Sequence, residues 1–362
     1  MLFVGLLIRR DGHFLLFTIL ACAIAAVVGS FQYSVYTSFV RASAIVPRMI
    51  GGDVWISAAT VECFDFPTPI NADYASLVSA YFPEAQFRRV VFGFAPWRSP
   101  GGRRGNVAVV GIDDVAMMPD TFLIDESDAA RLDLSDGATP GLTQATIGQA
   151  SMTFAGKTDR IATFLGAPYV VMPIESAHTA LGMDSSSTSF LVGNFPSPMH
   201  NLPAIKAAIG REQPDIALHS TQDFITSSAR YWQQKTGAGM AILLAAVLAL
   251  LLMGLLMANG IQRFVARFAD DLRSLIGHGA GTRELTMIVA LVSLIILVTT
   301  WVAALAITPL LVTAVQPLLP WVNYAITDSW VPSTAMVTAA IASQFLARRD
   351  VLSISPETIF RS

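Results

Sequence analysis

Four long apolar segments without a formal charge dominate the sequence. They cover residues 13–30, 237–258, 285–309 and 331–347. A helix needs about 20 apolar residues to cross the hydrocarbon layer of a bilayer. The second and third segments reach that length, the first reaches it with its neutral flank 31–40, and the fourth lies at the lower limit. Overall, 53% of the residues are apolar and 14% are charged, whereas a soluble domain carries about a quarter charged residues. The sequence therefore predicts an α-helical membrane protein with four transmembrane helices.

The first apolar segment has two interpretations. Arg9 and Arg10 precede it, and Ile19–Cys22 approaches a lipoprotein cleavage box, which would suit a cleaved signal peptide. The apolar run nevertheless continues through Ala23–Gly29, and it exceeds the roughly 7–15 apolar residues of a cleaved signal. We therefore expect a retained helix, with a cleaved signal as the alternative.

Basic residues predict the orientation of the helices. They precede helix one, lie between helices two and three, and follow helix four: Arg9, Arg10, Arg263, Arg267, Arg273, Arg283, Arg348, Arg349 and Arg361. The segment 310–324 contains no Lys or Arg. Because basic loops remain in the cytoplasm, both termini and the loop between helices two and three are predicted to be cytoplasmic. The chain would be a multi-pass membrane protein, with residues from about 31 to 236 outside the cytoplasm.

These assignments divide the chain into nine parts. The predicted parts are a cytoplasmic N-terminal segment (1–12), a first transmembrane helix (13–40), a periplasmic domain (41–232), a second helix (237–260), a cytoplasmic loop (261–284), a third helix (285–309), a short periplasmic loop (310–324), a fourth helix (325–347) and a cytoplasmic tail (348–362).

The periplasmic segment is predicted to fold as an α+β domain inserted between helices one and two. Short β-type stretches occur at Asp53–Ile56, Arg89–Phe92, Asn106–Ile112, Tyr169–Met172 and Ser189–Val192. Helical stretches lie between them, at Asn71–Tyr81, Glu126–Leu132 and Leu202–Ile209. The Pro- and Gly-rich piece Pro96–Gly105 predicts an exposed loop. Its arginines could meet an anionic head group, and a solvated loop is the plainer interpretation.

No motif in the chain predicts catalysis or a cofactor. The segment Ser151–Thr158 approaches a phosphate-binding loop, but Ser151 occupies the position of the first glycine. No two histidines stand four residues apart, so no helix face presents two imidazoles to a metal. The net charge of −3 argues against binding nucleic acid. We expect a non-enzymatic chain with no catalytic, cofactor-binding or metal-binding residues.

The cytoplasmic loop between helices two and three is the most informative segment. Phe264, Phe268, Leu272 and Leu275 follow the spacing of one helix face, and Gly277–Gly281 would then end the helix. An amphipathic helix lying in the membrane interface is one interpretation. A docking element for a cytoplasmic partner is the other, and the residues alone leave both open.

The layout of one helix, a large external domain and three further helices resembles the MacB/FtsX-type (type VII) ABC transporter permeases, and most of all their DevC-like branch. In the loop, Asp271 resembles the acidic position of the family motif, and Leu275, Gly279 and Leu285 match it. Ile276 departs from it, since the family tends to have Lys there. Further similar segments are Val109–Asp113, Phe122–Glu126, the pair Tyr231 and Trp232, and the tail Ser355–Arg361.

The resemblance implies a role for this loop and a set of partners. In such permeases it is a coupling helix that contacts a separate ABC ATPase subunit, which binds the ATP and Mg. The corresponding residues here are Phe268, Asp271, Leu272, Leu275, Gly279 and Arg283. Segment 41–232 would be a MacB-like periplasmic domain, and the permease would be a homodimer in the bacterial inner membrane.

Two further partners are implied, a periplasmic membrane fusion protein and a TolC-like outer-membrane channel. Nucleotide-driven movement of the domain (mechanotransmission) would then drive export of a lipid-like or amphiphilic substrate. An FtsX-like relay that controls a periplasmic partner without transport is the alternative. A membrane-anchored sensor is a third hypothesis, weakened by the short segment that follows Arg349.

Overall fold

The computed structural model describes residues 2–99, 101–129, 132, 134, 139–158, 161–195 and 202–352. The chain forms two compact units. The helical unit comprises Met1–Ser38, Met240–Gln316 and Val322–Ser362, and the sheet domain comprises Phe39–Gly239 and Pro317–Trp321.

The helices and strands are numbered in chain order. The helices are α1 (Leu2–Ala42), α2 (Ile45–Ile50), α3 (Tyr74–Ser79), α4 (Glu126–Ala129), α5 (Ile174–Leu181), α6 (Leu202–Glu212), α7 (Thr221–Arg230), α8 (Ala238–Arg267), α9 (Ala269–Gly277), α10 (Thr282–Val315) and α11 (Trp330–Leu352). The strands are β1 (Val54–Ala58), β2 (Ile70–Asn71), β3 (Gln86–Arg98), β4 (Arg104–Ile112), β5 (Thr121–Asp125), β6 (Gln144–Ile147), β7 (Ala150–Thr158), β8 (Tyr169–Pro173), β9 (Ser187–Thr188), β10 (Phe190–Asn194) and β11 (Ile216–Ser220). A π-helical turn, Tyr231–Lys235, precedes α8, and a 3₁₀ turn, Ile326–Ser329, precedes α11.

Among the described residues, three helices are long and apolar enough to cross a membrane. They are Gly12–Ala42, Ala238–Arg267 and Thr282–Val315, with mean hydropathies of 2.5, 2.9 and 2.7. One face of α8 consists of leucines that are more than half exposed, at positions 244, 248, 251 and 255. Such a continuous exposed apolar stripe is suited to contact with lipid rather than water. The chain is therefore a membrane protein.

The fourth predicted span, 325–347, lies on the 3₁₀ turn and α11, which is not among these three helices. Helix α11 is shorter than the other three, and hydroxyl and small side chains such as Ser333, Thr334 and Thr338 lower its hydropathy. The count of four transmembrane helices therefore stays a prediction.

The sheet domain is built on a nine-stranded mixed sheet in the order β11-β1-β10-β3-β4-β8-β5-β7-β6. Strand β6 also pairs with β3, so six neighbouring strands, in the order β3-β4-β8-β5-β7-β6, close into a ring. The long strand β3 pairs through its first residues with β10 and through the rest with β4 and β6. It therefore belongs to both halves of the domain.

Each half of the domain has its own apolar core. The first core contains stacked and edge-on aromatic rings, with Trp55 and Phe224 4.9 Å apart and Phe64 and Phe190 5.2 Å apart between ring centroids. The second core fills the strand ring and includes the fully buried Phe122. The nine-stranded sheet thus serves two lobes, and β2 and β9 form a separate two-stranded sheet.

All five predicted β-type stretches lie on strands, but the predicted loop Pro96–Gly105 is a hairpin. Strand β3 continues to Arg98, and β4 begins at Arg104. The side chain of Trp97 is 2% exposed inside the ring, and its burial outweighs the turn preference of the neighbouring Pro and Gly.

The structure describes one of two further segments that the sequence singles out. Ser151–Thr158 lies within β7 and pairs with β5 and β6, so it is a strand rather than a phosphate-binding loop. The tail motif Ser355–Arg361 lies outside the described residues.

Candidate functional site

The sequence predicts a single amphipathic helix over residues 264–275. In the structure this stretch is divided between the end of α8 and a separate short helix, α9. Helix α8 continues to Arg267, and α9 begins at Ala269. The break lies at Phe268, whose backbone angles (φ −100°, ψ 18°) leave the helical region. The rings of Phe264 and Phe268 remain together across the break, with centroids 4.8 Å apart. We call residues 264–285 the coupling element.

One face of the coupling element packs against other helices of the helical unit. Phe264, Phe268 and Leu272 are buried in a cluster that includes Leu285 of α10 and Leu15 of α1. Leu275 is partly buried against the same cluster. Burying side chains of this size stabilises a fold by about 1.5–3 kcal/mol each. The predicted apolar face therefore holds the element in place.

The opposite face is polar and exposed. The Asp270 carboxylate accepts a hydrogen bond from Arg273 Nη1 at 2.5 Å, and the Asp270 side chain is 95% exposed. Ser274 and His278 are also exposed. An exposed ion pair of this kind adds little stability, so these side chains are available for contact with another molecule.

A glycine turn joins α9 to α10. Gly279 has a φ of +94°, a backbone conformation that L side chains rarely adopt. The amides of His278 and Ala280 donate to the Leu275 carbonyl at 3.1 and 3.0 Å, which satisfies a helix end that would otherwise lack partners. The Glu284 carboxylate then accepts a hydrogen bond from the Gly281 amide at 2.7 Å and caps α10. The turn is therefore ordered although it is exposed.

The six residues predicted from the resemblance all lie on this element, but they do not share one face. Phe268 and Leu272 are buried, Asp271 and Leu275 are half-buried, and Gly279 and Arg283 are exposed. The motif therefore spans both the packed and the exposed side of the element. Asp270, Ser274 and His278, which the prediction did not include, are exposed on the same element; the sequence indicates them only as the positions left between the apolar ones.

A second constellation lies in the sheet domain, at the segment that leads into α8. The carboxylate of Asp65 is buried and accepts hydrogen bonds from Trp232 Nε1 at 2.8 Å and from the Tyr169 hydroxyl at 2.9 Å. Burial raises the pKa of Asp65 to about 6, although the two hydrogen bonds oppose that rise. Burial and the neighbouring Asp65 also raise the pKa of Tyr169.

Further contacts hold the π-helical turn against the sheet domain. Lys235 pairs with Glu62 at 2.5 Å. Trp232 packs edge-on against Phe164, with ring centroids 5.0 Å apart, and also contacts Phe66. Single π-helical turns occur frequently at functional sites. The sequence singled out Trp232 as part of a motif, but its buried carboxylate partner is found only in the structure.

Comparison with known proteins gives structural neighbours only. No family model matches the sequence, and a search of curated proteins finds no match. The periplasmic region of MacB from Actinobacillus actinomycetemcomitans is similar at 6% identity and a TM-score of 0.35, covering 47% of this chain and 89% of that structure.

Two other structures are similar at comparable levels. The extracellular domain of the noncanonic ABC-type transporter YknZ from Gram-positive bacteria has 9% identity and a TM-score of 0.34, covering 46% of this chain and 98% of that structure. A domain of a protein described as a permease from Porphyromonas gingivalis has 10% identity and a TM-score of 0.29, with coverages of 46% and 88%. At such values, function has to be argued from the residues of this chain.

Proposed function

We propose that this chain is the permease subunit of an ABC exporter of the MacB/FtsX type, in which a separate ATPase moves an extracytoplasmic domain. The coupling element carries the proposal. Its apolar side is fixed on the helical unit, and its polar side with the glycine turn is exposed. A partner that binds the exposed side would thereby pull on α8 and α10 directly.

The exposed residues of the coupling element would form the ATPase contact. We assign direct contact to Asp270, His278, Gly279 and Arg283, and a positioning role to Phe268, Leu272 and Leu275. The half-buried Asp271 would lie at the border between the two groups. This chain would bind no nucleotide itself, and ATP and Mg would be held by the partner ATPase.

Covalent continuity supports the transmission of movement from the coupling element to the sheet domain. Helix α8 runs unbroken from Ala238 to Arg267, and the π-helical turn Tyr231–Lys235 precedes it. That turn is fixed to the domain by the Asp65–Trp232 hydrogen bond and the Glu62–Lys235 pair. Displacement of α8 along its axis would therefore exert force on these two contacts before it moves the rest of the sheet domain.

The remaining parts of the proposal concern partners and cargo. We propose a homodimer in the inner membrane with cytoplasmic termini, a periplasmic membrane fusion protein and a TolC-like outer-membrane channel. The exported molecule would be lipid-like or amphiphilic, as the resemblance to the DevC-like branch implies. No Asp, Glu, Lys or Arg lies in the four apolar segments, which agrees with export that does not pass between the helices. The similarity of the loop motif to the DevC-like branch supports this assembly.

The test is purification of the full-length chain from the membranes of its own host, followed by measurement of ATP hydrolysis in the purified complex. We expect an ABC ATPase to co-purify and its turnover to depend on this chain. Replacing Arg283→Glu should abolish the stimulation, since it reverses a charge on the exposed side without touching the packed side. The matched control is Arg349→Glu, an exposed charge reversal near the end of α11. Unchanged turnover with Arg283→Glu would contradict the proposed contact.

A further inference from the structure

The hairpin between β3 and β4 ends in a cluster of exposed arginines. Arg98 is the last residue of β3, Arg104 is the first residue of β4, and Arg103 precedes it; we call these three arginines the basic hairpin. Arg98 and Arg104 are direct partners in the antiparallel ladder, so their side chains project from the same face. Like charges at such positions repel each other. Neither side chain has a hydrogen bond or an ion pair with any residue in the described parts of the chain.

The turn is held rigidly enough to keep these charges together. The Ser99 amide donates to the Arg103 carbonyl at 2.8 Å, and the Arg103 amide donates to Ser99 Oγ at 3.0 Å. Trp97 anchors the hairpin from the interior of the strand ring. Gly102 and Gly105 contribute no side chains beside the arginines, which leaves open space above the backbone at both positions. The arrangement has the features of an anion-binding surface, because arginine forks match phosphate oxygens.

The topology of the sheet shows which end of the domain carries the basic hairpin. Strands β4 and β8 are parallel neighbours, so the hairpin, which leads into β4, and segment 161–168, which leads into β8, lie at the same sheet end. Phe164 in that segment packs against Phe39 and Trp232, with ring centroids 5.4 and 5.0 Å apart. Phe39 lies near the end of α1, and Trp232 lies in the π-helical turn that precedes α8. Tryptophan side chains such as that of Trp232 are enriched at membrane interfaces.

We propose that the basic hairpin binds the phosphate groups of anionic lipids at the extracytoplasmic face of the membrane. An acidic protein fits less well, because a protein interface has an apolar centre. The described residues from Arg98 to Asn106 expose no large apolar side chain, and Trp97 is buried. The hairpin would tether the domain to the membrane surface by charge alone. This role is additional to the proposed ATPase coupling and does not depend on it.

The experiment uses the full chain in lipid nanodiscs. Gly105→Cys carries a fluorophore in a background in which the buried Cys22 and Cys63 are replaced by Ala, and the quencher is a headgroup-labelled lipid. One set of discs contains phosphatidylcholine alone, and the other contains equal parts of phosphatidylcholine and phosphatidylglycerol. We expect strong quenching with phosphatidylglycerol, weak quenching without it, and a loss of the difference at high salt.

Charge-reversal variants test whether the arginines of the basic hairpin cause the lipid-dependent quenching. Arg98→Glu combined with Arg104→Glu should lower the equilibrium between membrane-bound and free hairpin by at least about thirtyfold. Each basic residue that is lost contributes about a factor of five at an anionic surface, and the two new carboxylates are repelled by it. Lys206→Glu combined with Arg211→Glu on α6 makes the same change in net charge at exposed positions outside the hairpin, and it should leave the quenching unchanged.

Three outcomes would overturn the proposal. Equal quenching in both kinds of disc would show proximity without charge recognition, and no quenching in either would show that the hairpin does not reach lipid. A response to added polyglutamate, together with none to phosphatidylglycerol, would assign the surface to an acidic protein instead. Far-ultraviolet circular dichroism of each variant checks that the chain is folded.

Discussion

The buried carboxylate of Asp65 predicts a specific dependence of stability on pH. Its pKa is about 6 in the folded chain against an ordinary value of 3.8, so the folded state binds a proton more readily than the unfolded state. The resulting contribution to stability is complete below pH 3.8, falls as the pH rises, and is lost above about pH 6. A difference of this size corresponds to about 3 kcal/mol at most.

The replacement Asp65→Asn should remove that slope. An amide at this position can still accept the hydrogen bond from Trp232 and can donate to the Tyr169 oxygen, but it does not titrate. We expect thermal unfolding of the full-length chain in detergent, followed by tryptophan fluorescence from pH 4 to pH 7, to show a falling midpoint for the native chain. The midpoint of the variant should stay level.

The control for this prediction is Asp184→Asn. Asp184 is exposed, and hydrogen bonds from Ser186 lower its pKa, so its titration lies below the tested range. This variant should keep the native slope. A native chain whose midpoint rises between pH 4 and pH 6, or an Asp65→Asn variant that keeps the slope, would refute the assignment of the raised pKa to Asp65.

Three further predictions follow from the packing. Gly148→Ala should lower stability by at least about 2 kcal/mol, because Gly148 has a φ of +62° and a Cβ there would lie 1.7 Å from a backbone carbonyl oxygen of α5. The control is Gly210→Ala on α6, where a Cβ would meet open space, and it should be neutral or slightly stabilising. The thermal unfolding midpoints of the two variants distinguish these effects. Leu272→Ala should cost about 2–5 kcal/mol by the same assay, whereas the exposed Ser274→Ala should cost little. Cys63, which is 1% exposed and whose pKa burial raises to about 12, should react with maleimide at pH 7.5 only upon unfolding; rapid labelling of the folded chain would contradict its burial.

Hydropathy predicts the helical part of this protein well because the bilayer imposes one simple requirement. A spanning segment must be long and uncharged, and the three long apolar helices follow directly from that. The periodic face from Phe264 to Leu275 likewise predicts which residues pack inward. The pattern cannot reveal the break at Phe268, because the same apolar spacing is compatible with two helices that share one packing face.

The sheet domain is harder to predict because its structure depends on contacts between distant residues. Strands β5, β6 and β7 lack long β-branched runs, and they are stabilised by closure of the ring onto β3. Paired acids such as Asp125–Glu126 and Asp113–Asp114 are typical of solvated positions or helix caps, and Asp125 does accept a hydrogen bond from the Ser127 amide of α4 at 3.1 Å. In the structure Asp125 is buried and accepts a hydrogen bond from the Ile161 amide at 2.9 Å, and Asp113 pairs with Arg89 at 2.9 Å. Partners this far away in sequence leave no local signal.

Cysteine labelling of the coupling element tests the central claim most directly, namely that this element faces the cytoplasm while the sheet domain lies across the membrane. In a chain without its two native cysteines, Thr282→Cys and Thr226→Cys each place one thiol at an exposed position. A membrane-impermeant maleimide added to intact spheroplasts should label position 226 at once and position 282 only after the membrane is permeabilised. Labelling of position 282 in intact spheroplasts would place the coupling element outside and contradict an ATPase contact.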